Sequence, residues 1–250
     1  MSNIRLLILL SFSIQIVLAH DHSPYDEDHY AQSYHAVVLN KITNYKLQTK
    51  FEVMKGTKYA NRNLSKILVG SYYRLAEKQR IGIFYSQQSG LRHSEDWDFQ
   101  DTKWFWKDTS QRTEELYDLT YTNKFRHTGI PLIYNFNSTY QINKNFGFST
   151  LILKPGIQFF FQQEGLIKYS YKLDIPLYFA LNYDDENLYK KGVYMAALYH
   201  YSKTLSFGIT TNYLEETWTE SSLAKKAEPD EPYNVTDTTQ TIGLNLIFNY

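Results

Sequence analysis

Residues 166–183 read "LIKYSYKLDIPLYFALNY". The odd positions, Ile167, Tyr169, Tyr171, Leu173, Ile175, Leu177, Phe179, Leu181 and Tyr183, are apolar or aromatic without exception. The even positions include Lys168, Ser170, Lys172, Asp174 and Asn182. Successive side chains of an extended strand point to opposite faces, so a period of two predicts one greasy face and one mostly polar face. Tyrosines sit at the ends of the greasy face, and aliphatics with one Phe fill its middle. That is the profile of a strand crossing a bilayer, with tyrosines at both headgroup levels. The stretch from Tyr171 to Tyr183, at about 3.3 Å per residue and a tilt of about 40°, covers roughly 30 Å of height. An apolar band with its aromatic girdles is of that size.

Other segments repeat the pattern. Leu205, Phe207, Ile209, Thr211 and Tyr213 oppose Ser206, Gly208, Thr210 and Asn212. Leu132, Tyr134, Phe136, Tyr140 and Ile142 oppose Asn135, Asn137, Thr139 and Gln141. The spacing predicts ten strands, near 45–55, 65–75, 80–88, 114–125, 131–142, 146–162, 166–183, 190–201, 204–216 and 237–250. An even count lets both chain ends lie on one side. The longer connections (56–64, 89–113, 184–189, 217–236) then share one end, and the short ones (76–79, 163–165, 202–203) share the other. Pro155 strains this count, because proline cannot donate to a ladder. Splitting the strand at Pro155 and letting "DTKWFWKD" (101–108) span gives the alternative of twelve. Ten is preferred because Leu151, Leu153, Ile157, Phe159 and Phe161 keep one phase across the proline.

The chain begins "MSNIRLLILLSFSIQIVLA". Arg5, the apolar run Leu6 to Leu18, and small residues at Val17 and Ala19 match an export signal cleaved after Ala19. Residues 20–44 are expected to be a polar, acidic periplasmic arm, with 34–42 either a short helix or extended chain. Residues 45–250 form the single remaining domain, without an internal repeat. Lys plus Arg and Asp plus Glu are both 26, so no charge excess points to nucleic acid. Cysteine is absent, which excludes disulfides, thiol catalysis and a thiolate metal site. Aromatics make up 17% of the chain, with 23 Tyr against 4 Trp, on a polar background.

The chain closes on "TIGLNLIFNY" (241–250). An export signal, tyrosine-capped strands of period two and this ending together resemble bacterial outer-membrane β-barrel proteins. The resemblance covers the strand-rich region as a class pattern and brings no family motif. It implies an all-β, antiparallel, up-and-down transmembrane barrel in the bacterial outer membrane, with membrane lipid and the barrel-assembly machinery as partners. The ending is similar to the assembly signal of such proteins, which implies that role for Leu244, Leu246, Phe248 and the final Tyr250. The rival fold, a soluble exported β-sandwich, explains neither the tyrosine-capped faces nor the closing aromatic.

Several constellations are candidates for chemistry. Arg74, Lys168, Lys172, Asp174 and His200 fall on polar strand faces and would set ion preference in a lumen, or pair with one another to fill it. Trp97, Trp104 and Trp106 crowd the 89–113 connection, either as headgroup anchors or as a surface platform for a ligand. His20 and His22, at a free amino terminus after cleavage, have the nitrogen set of a square-planar copper or nickel site; a solvated acidic arm is the plainer reading. Hydrolase candidates are poor: His93 and Ser94 are adjacent and point apart on extended chain, and His200 has no identifiable serine partner. No cofactor and no catalytic residue is assigned. The expected function is a narrow porin-like channel for small hydrophilic solutes. The alternatives are a lipid or lipopolysaccharide hydrolase and a closed structural or surface-binding barrel.

Overall fold

The computed structural model of the chain describes residues 27–42, 46–59, 62–90, 97–100, 103–106, 113–183, 187–219 and 234–249. Among these the fold is all-β, without helices. The strands are β1 (Glu27–Ile42), β2 (Leu47–Tyr59), β3 (Arg62–Arg74), β4 (Gln79–Ser89), β5 (Trp97–Gln100), β6 (Lys103–Trp106) and β7 (Thr113–Arg126). They continue with β8 (Leu132–Asn143), β9 (Phe148–Gln163), β10 (Leu166–Asp174), β11 (Leu177–Ala180), β12 (Leu188–His200), β13 (Leu205–Thr219) and β14 (Asn234–Asn249). Twelve of them form one sheet, and β5 and β6 pair only with each other. Since β10 and β11 both lie between β9 and β12, they are two halves of one stave, and the sheet has 12 − 1 = 11 staves.

The break in that stave falls at Ile175 and Pro176. Pro176 has no N–H to give, but the Ile175 N–H still donates to the Pro155 carbonyl at 2.9 Å. Pro155 itself does not interrupt β9, which runs unbroken through it. The phase argument for one strand across Pro155 therefore holds. The "DTKWFWKD" stretch contributes β6 to a separate hairpin and adds no stave to the sheet.

Eleven staves is neither the expected ten nor twelve. The added one is β1, in the region read as a periplasmic arm, and it resolves the open choice over 34–42 in favour of extended chain. It pairs antiparallel with β2 and parallel with β14, Glu27 opposite Asp237 and Leu39 opposite Asn249. All other pairings in the sheet are antiparallel. The pattern of β1 is poorly periodic, with Ala36, Val37, Val38 and Leu39 consecutive, so the period-two signal that marks the other strands is missing there.

The connections at one end of the staves are short: 75–78, 127–131, 164–165 and 201–204. Glu164 and Gly165 both have positive φ (53° and 74°), the two-residue type I′ geometry whose twist matches paired strands. The strand ends that flank the longer connections, Ser89 beside Thr113 and Thr219 beside Asn234, lie at the opposite end.

The two faces of the sheet are inverted relative to a water-soluble protein. Ile83 is 70% exposed, Ile242 60% and Ile209 56%, whereas Ser86, Ser170 and Ser206 are at 1–2%. Among the described residues the buried set holds 16 polar or charged residues against 7 apolar ones. A soluble sheet buries its apolar face, so this sheet faces its greasy side outward and its polar side inward.

Candidate functional site: the buried polar face

Alternation within each strand determines which residues turn inward. On β7, Tyr117, Leu119 and Phe125 are exposed, while Glu114, Leu116, Thr120 and Thr122 are buried. The same parity turns Lys66 of β3 and Lys154 of β9 to the polar side. Lys154 and Lys50 lie on strands five places apart in the sheet order, about 24 Å if the sheet were flat. They nevertheless interact electrostatically, as do Glu52 of β2 and Tyr194 of β12. The sheet therefore curls around its polar face.

Inward groups are tied together across strands. Lys50 pairs with Glu52, Lys172 with Asp174, and Lys190 with Glu216 directly opposite in the ladder. Asn135 Nδ2 donates to Asp174 Oδ1 at 3.1 Å, Gln141 Nε2 to Asp118 Oδ1 at 2.8 Å, and Asn143 Nδ2 to Glu114 Oε2 at 2.6 Å. Arg80 donates to Gln48 Oε1 at 2.8 Å, and Thr122 to Asn137 at 2.8 Å. Among the described buried side-chain polar atoms, only Ser86 Oγ lacks a partner. That level of satisfaction is what burying so much polar surface requires.

Small inward residues make room for large ones. Phe84 covers Gly70 and Gly82, where a Cβ would collide with its ring, and meets Tyr72 edge-on at 4.7 Å between centroids. Near the long-connection end, rings run in a row: Phe146 on Phe148 (5.3 Å), Phe148 on Tyr183 (4.5 Å), Tyr183 on Tyr189 (5.6 Å) and Tyr189 on Tyr178 (6.3 Å). Tyr189 sits at a register shift between β11 and β12, where the extra residue re-aims a side chain. The Lys190 ammonium then lies 5.2 Å from the Tyr178 ring centroid.

The residues singled out in the sequence divide into three groups. Lys172, Asp174 and His200 are on the polar face and engaged there. His200 does have serine partners, contrary to expectation: Nε2 is 2.9 Å from Ser170 Oγ and Nδ1 is 2.7 Å from Ser206 Oγ. Ser206 is its ladder partner across β12 and β13, and Ser170 comes from the neighbouring β10. A neutral imidazole donates from one nitrogen and accepts at the other, which suits two hydroxyls. No carboxylate hydrogen-bonds His200 among the described residues. Arg74 instead folds over the short turn, donating to the carbonyls of Ala76 and Glu77. Lys168 sits at a register shift between β9 and β10.

Leu244 and Leu246 lie on the exposed apolar face of β14, with Phe248 in the same phase. Tyr250, His20, His22, His93 and Ser94 lie outside the described residues. The β5–β6 ladder sets Trp97 opposite Trp106 and Phe99 opposite Trp104. Among the described residues no cluster of His, Asp and Glu could hold a metal ion, and no helix is long and apolar enough to cross a membrane. The sequence reading missed Lys50, Glu52, Lys66, Arg80, Lys124, Lys154, Lys190 and Glu216, although strand parity alone places each among the polar positions. No protein-family model matches the chain, and no curated protein matches it.

Proposed function

We propose that the chain is an outer-membrane β-barrel whose polar interior passes small hydrophilic solutes. The observation that carries this is the inversion of the two faces: apolar side chains stay exposed on one face while ion pairs and hydroxyls crowd the buried one. Lipid is the solvent that makes such an arrangement favourable. Each of the eleven staves has a partner on both sides, with β12–β13 and β1–β14 joining the ends of the series. An unpaired edge in hydrocarbon costs several kcal/mol per backbone group, so closure is the arrangement lipid demands. An odd number of staves in a ring requires one parallel neighbour pair, and β1–β14 is that pair. This departs from the even number usual for bacterial barrels.

Purified protein in liposomes should admit small sugars and cause swelling, while larger oligosaccharides are excluded. Liposomes that hold the folded protein and stay impermeable would overturn the channel and favour a closed structural barrel.

A second reading rests on the Ser170–His200–Ser206 contacts. A serine beside a histidine base is the core of nucleophilic hydrolysis, and phospholipid would be the substrate at hand. Phospholipid deacylation by the wild type that disappears in both His200→Ala and Ser170→Ala supports it. No deacylation by the folded wild type ends it.

A further inference from the structure

The inward lysines are not matched one to one by carboxylates. Glu52, Asp174 and Glu216 each have a lysine of their own, so those pairs cancel. Among the described inward side chains, beyond those pairs, the Arg74 turn and the Lys168 register shift, Lys66, Lys124, Lys154 and Arg80 stand against Asp118 and Glu114, a surplus of 4 − 2 = 2 positive charges. Lys66, Lys124 and Lys154 form no ion pair among the described residues. Glu52 and Asp174, the carboxylates that act most strongly on Lys66 and Lys154, are already held by Lys50 and Lys172, and Asp118 accepts from Gln141.

These cations also press on one another. Lys66 and Lys154 repel each other and are both repelled by Lys50, although they come from β3, β9 and β2. Towards the short-turn end Lys124 faces Arg80 and Lys172, offset only by Asp174. Uncompensated inward charge is costly unless a counter-charge or water reaches it.

We infer that the interior selects small anions, which pass between Lys66 and Lys154 and then along Lys124 and Arg80. The ligand class is compact, hydrated negative charge: chloride, inorganic phosphate or a short carboxylate. This rests on the channel reading above and adds the sign of the solute to it.

The test is single-channel recording of the purified full chain in a planar bilayer under a potassium chloride gradient. The wild type should show a chloride-to-potassium permeability ratio of about 3 or more, because like charges lining a narrow passage create potentials of several kT. The Lys66→Gln/Lys124→Gln/Lys154→Gln variant should lower that ratio to about 1 or below. Should the triple variant not fold, Lys154→Gln alone is expected to lower the ratio in the same direction. Conducting steps with potassium preferred, or a ratio unmoved by the folded variants, overturn the anion inference and leave the channel standing. Absence of any steps from folded, inserted protein overturns both.

Discussion

The carboxylate of Asp174 lies over Gly156, in the space where any other residue would carry its Cβ. Asn135 reaches the same spot from β8, so three strands meet at one side-chain carboxylate. Gly156→Ala should push Asp174 off Asn135 and Lys172 together. Overpacking at such a site costs about 1–3 kcal/mol. The midpoint of denaturant unfolding in detergent should fall accordingly, and an unchanged midpoint would mean that the carboxylate is free to move aside.

Phe84 is the largest of the buried apolar side chains among the described residues, seated on Gly70 and Gly82. Phe84→Ala should destabilise the fold by about 3 kcal/mol, as truncation of a buried ring does. In a conducting barrel the same change should raise unit conductance. Reduced stability with unaltered conductance would place the narrowest point elsewhere.

The absence of cysteine makes single-cysteine labelling clean. Ile83→Cys, Ile209→Cys and Leu244→Cys, all on the exposed apolar face, should resist water-soluble maleimides in liposomes but react once the lipid is replaced by denaturant. Thr210→Cys, on the polar face, is shielded by neighbouring side chains and should be modified slowly by small reagents only. Rapid aqueous labelling at Ile83 and Ile209 in the presence of lipid would argue for a water-soluble sandwich.

Phe248 shares its phase with Leu244 and Leu246 on the last strand, just before the terminal Tyr250. Replacing Phe248 and Tyr250 with Ser should leave export intact and reduce outer-membrane insertion, measured by fractionation. Normal insertion of that variant would remove the assembly role assigned to this ending.

The ten staves expected from the sequence are all present, within a few residues of their expected ends. Their legibility has a simple cause: a strand with two unlike faces must alternate, and alternation survives in the bare letters. Strand β1 escaped because its four consecutive apolar residues blur that period. The interior was only half legible. Parity shows that Lys190 and Glu216 are both inward, but their direct opposition depends on the register between β12 and β13, which parity does not specify. The two serines of His200 illustrate the same limit. Ser206 is six residues away along the chain, Ser170 thirty, and only pairing between β10, β12 and β13 brings all three together.

The parallel alignment of β1 with β14 has a consequence for orientation. With eleven staves, an odd number, the last strand ends at the opposite end of the sheet from where the first begins. Glu27 stands level with Asp237, at the rim that bears the 220–233 connection, whereas Asn249 finishes level with Leu39 at the rim of tight turns. A reporter joined ahead of Glu27 and one joined behind Asn249 would thus stand at opposite ends of the sheet, and in the proposed membrane barrel they would be labelled separately from its two sides.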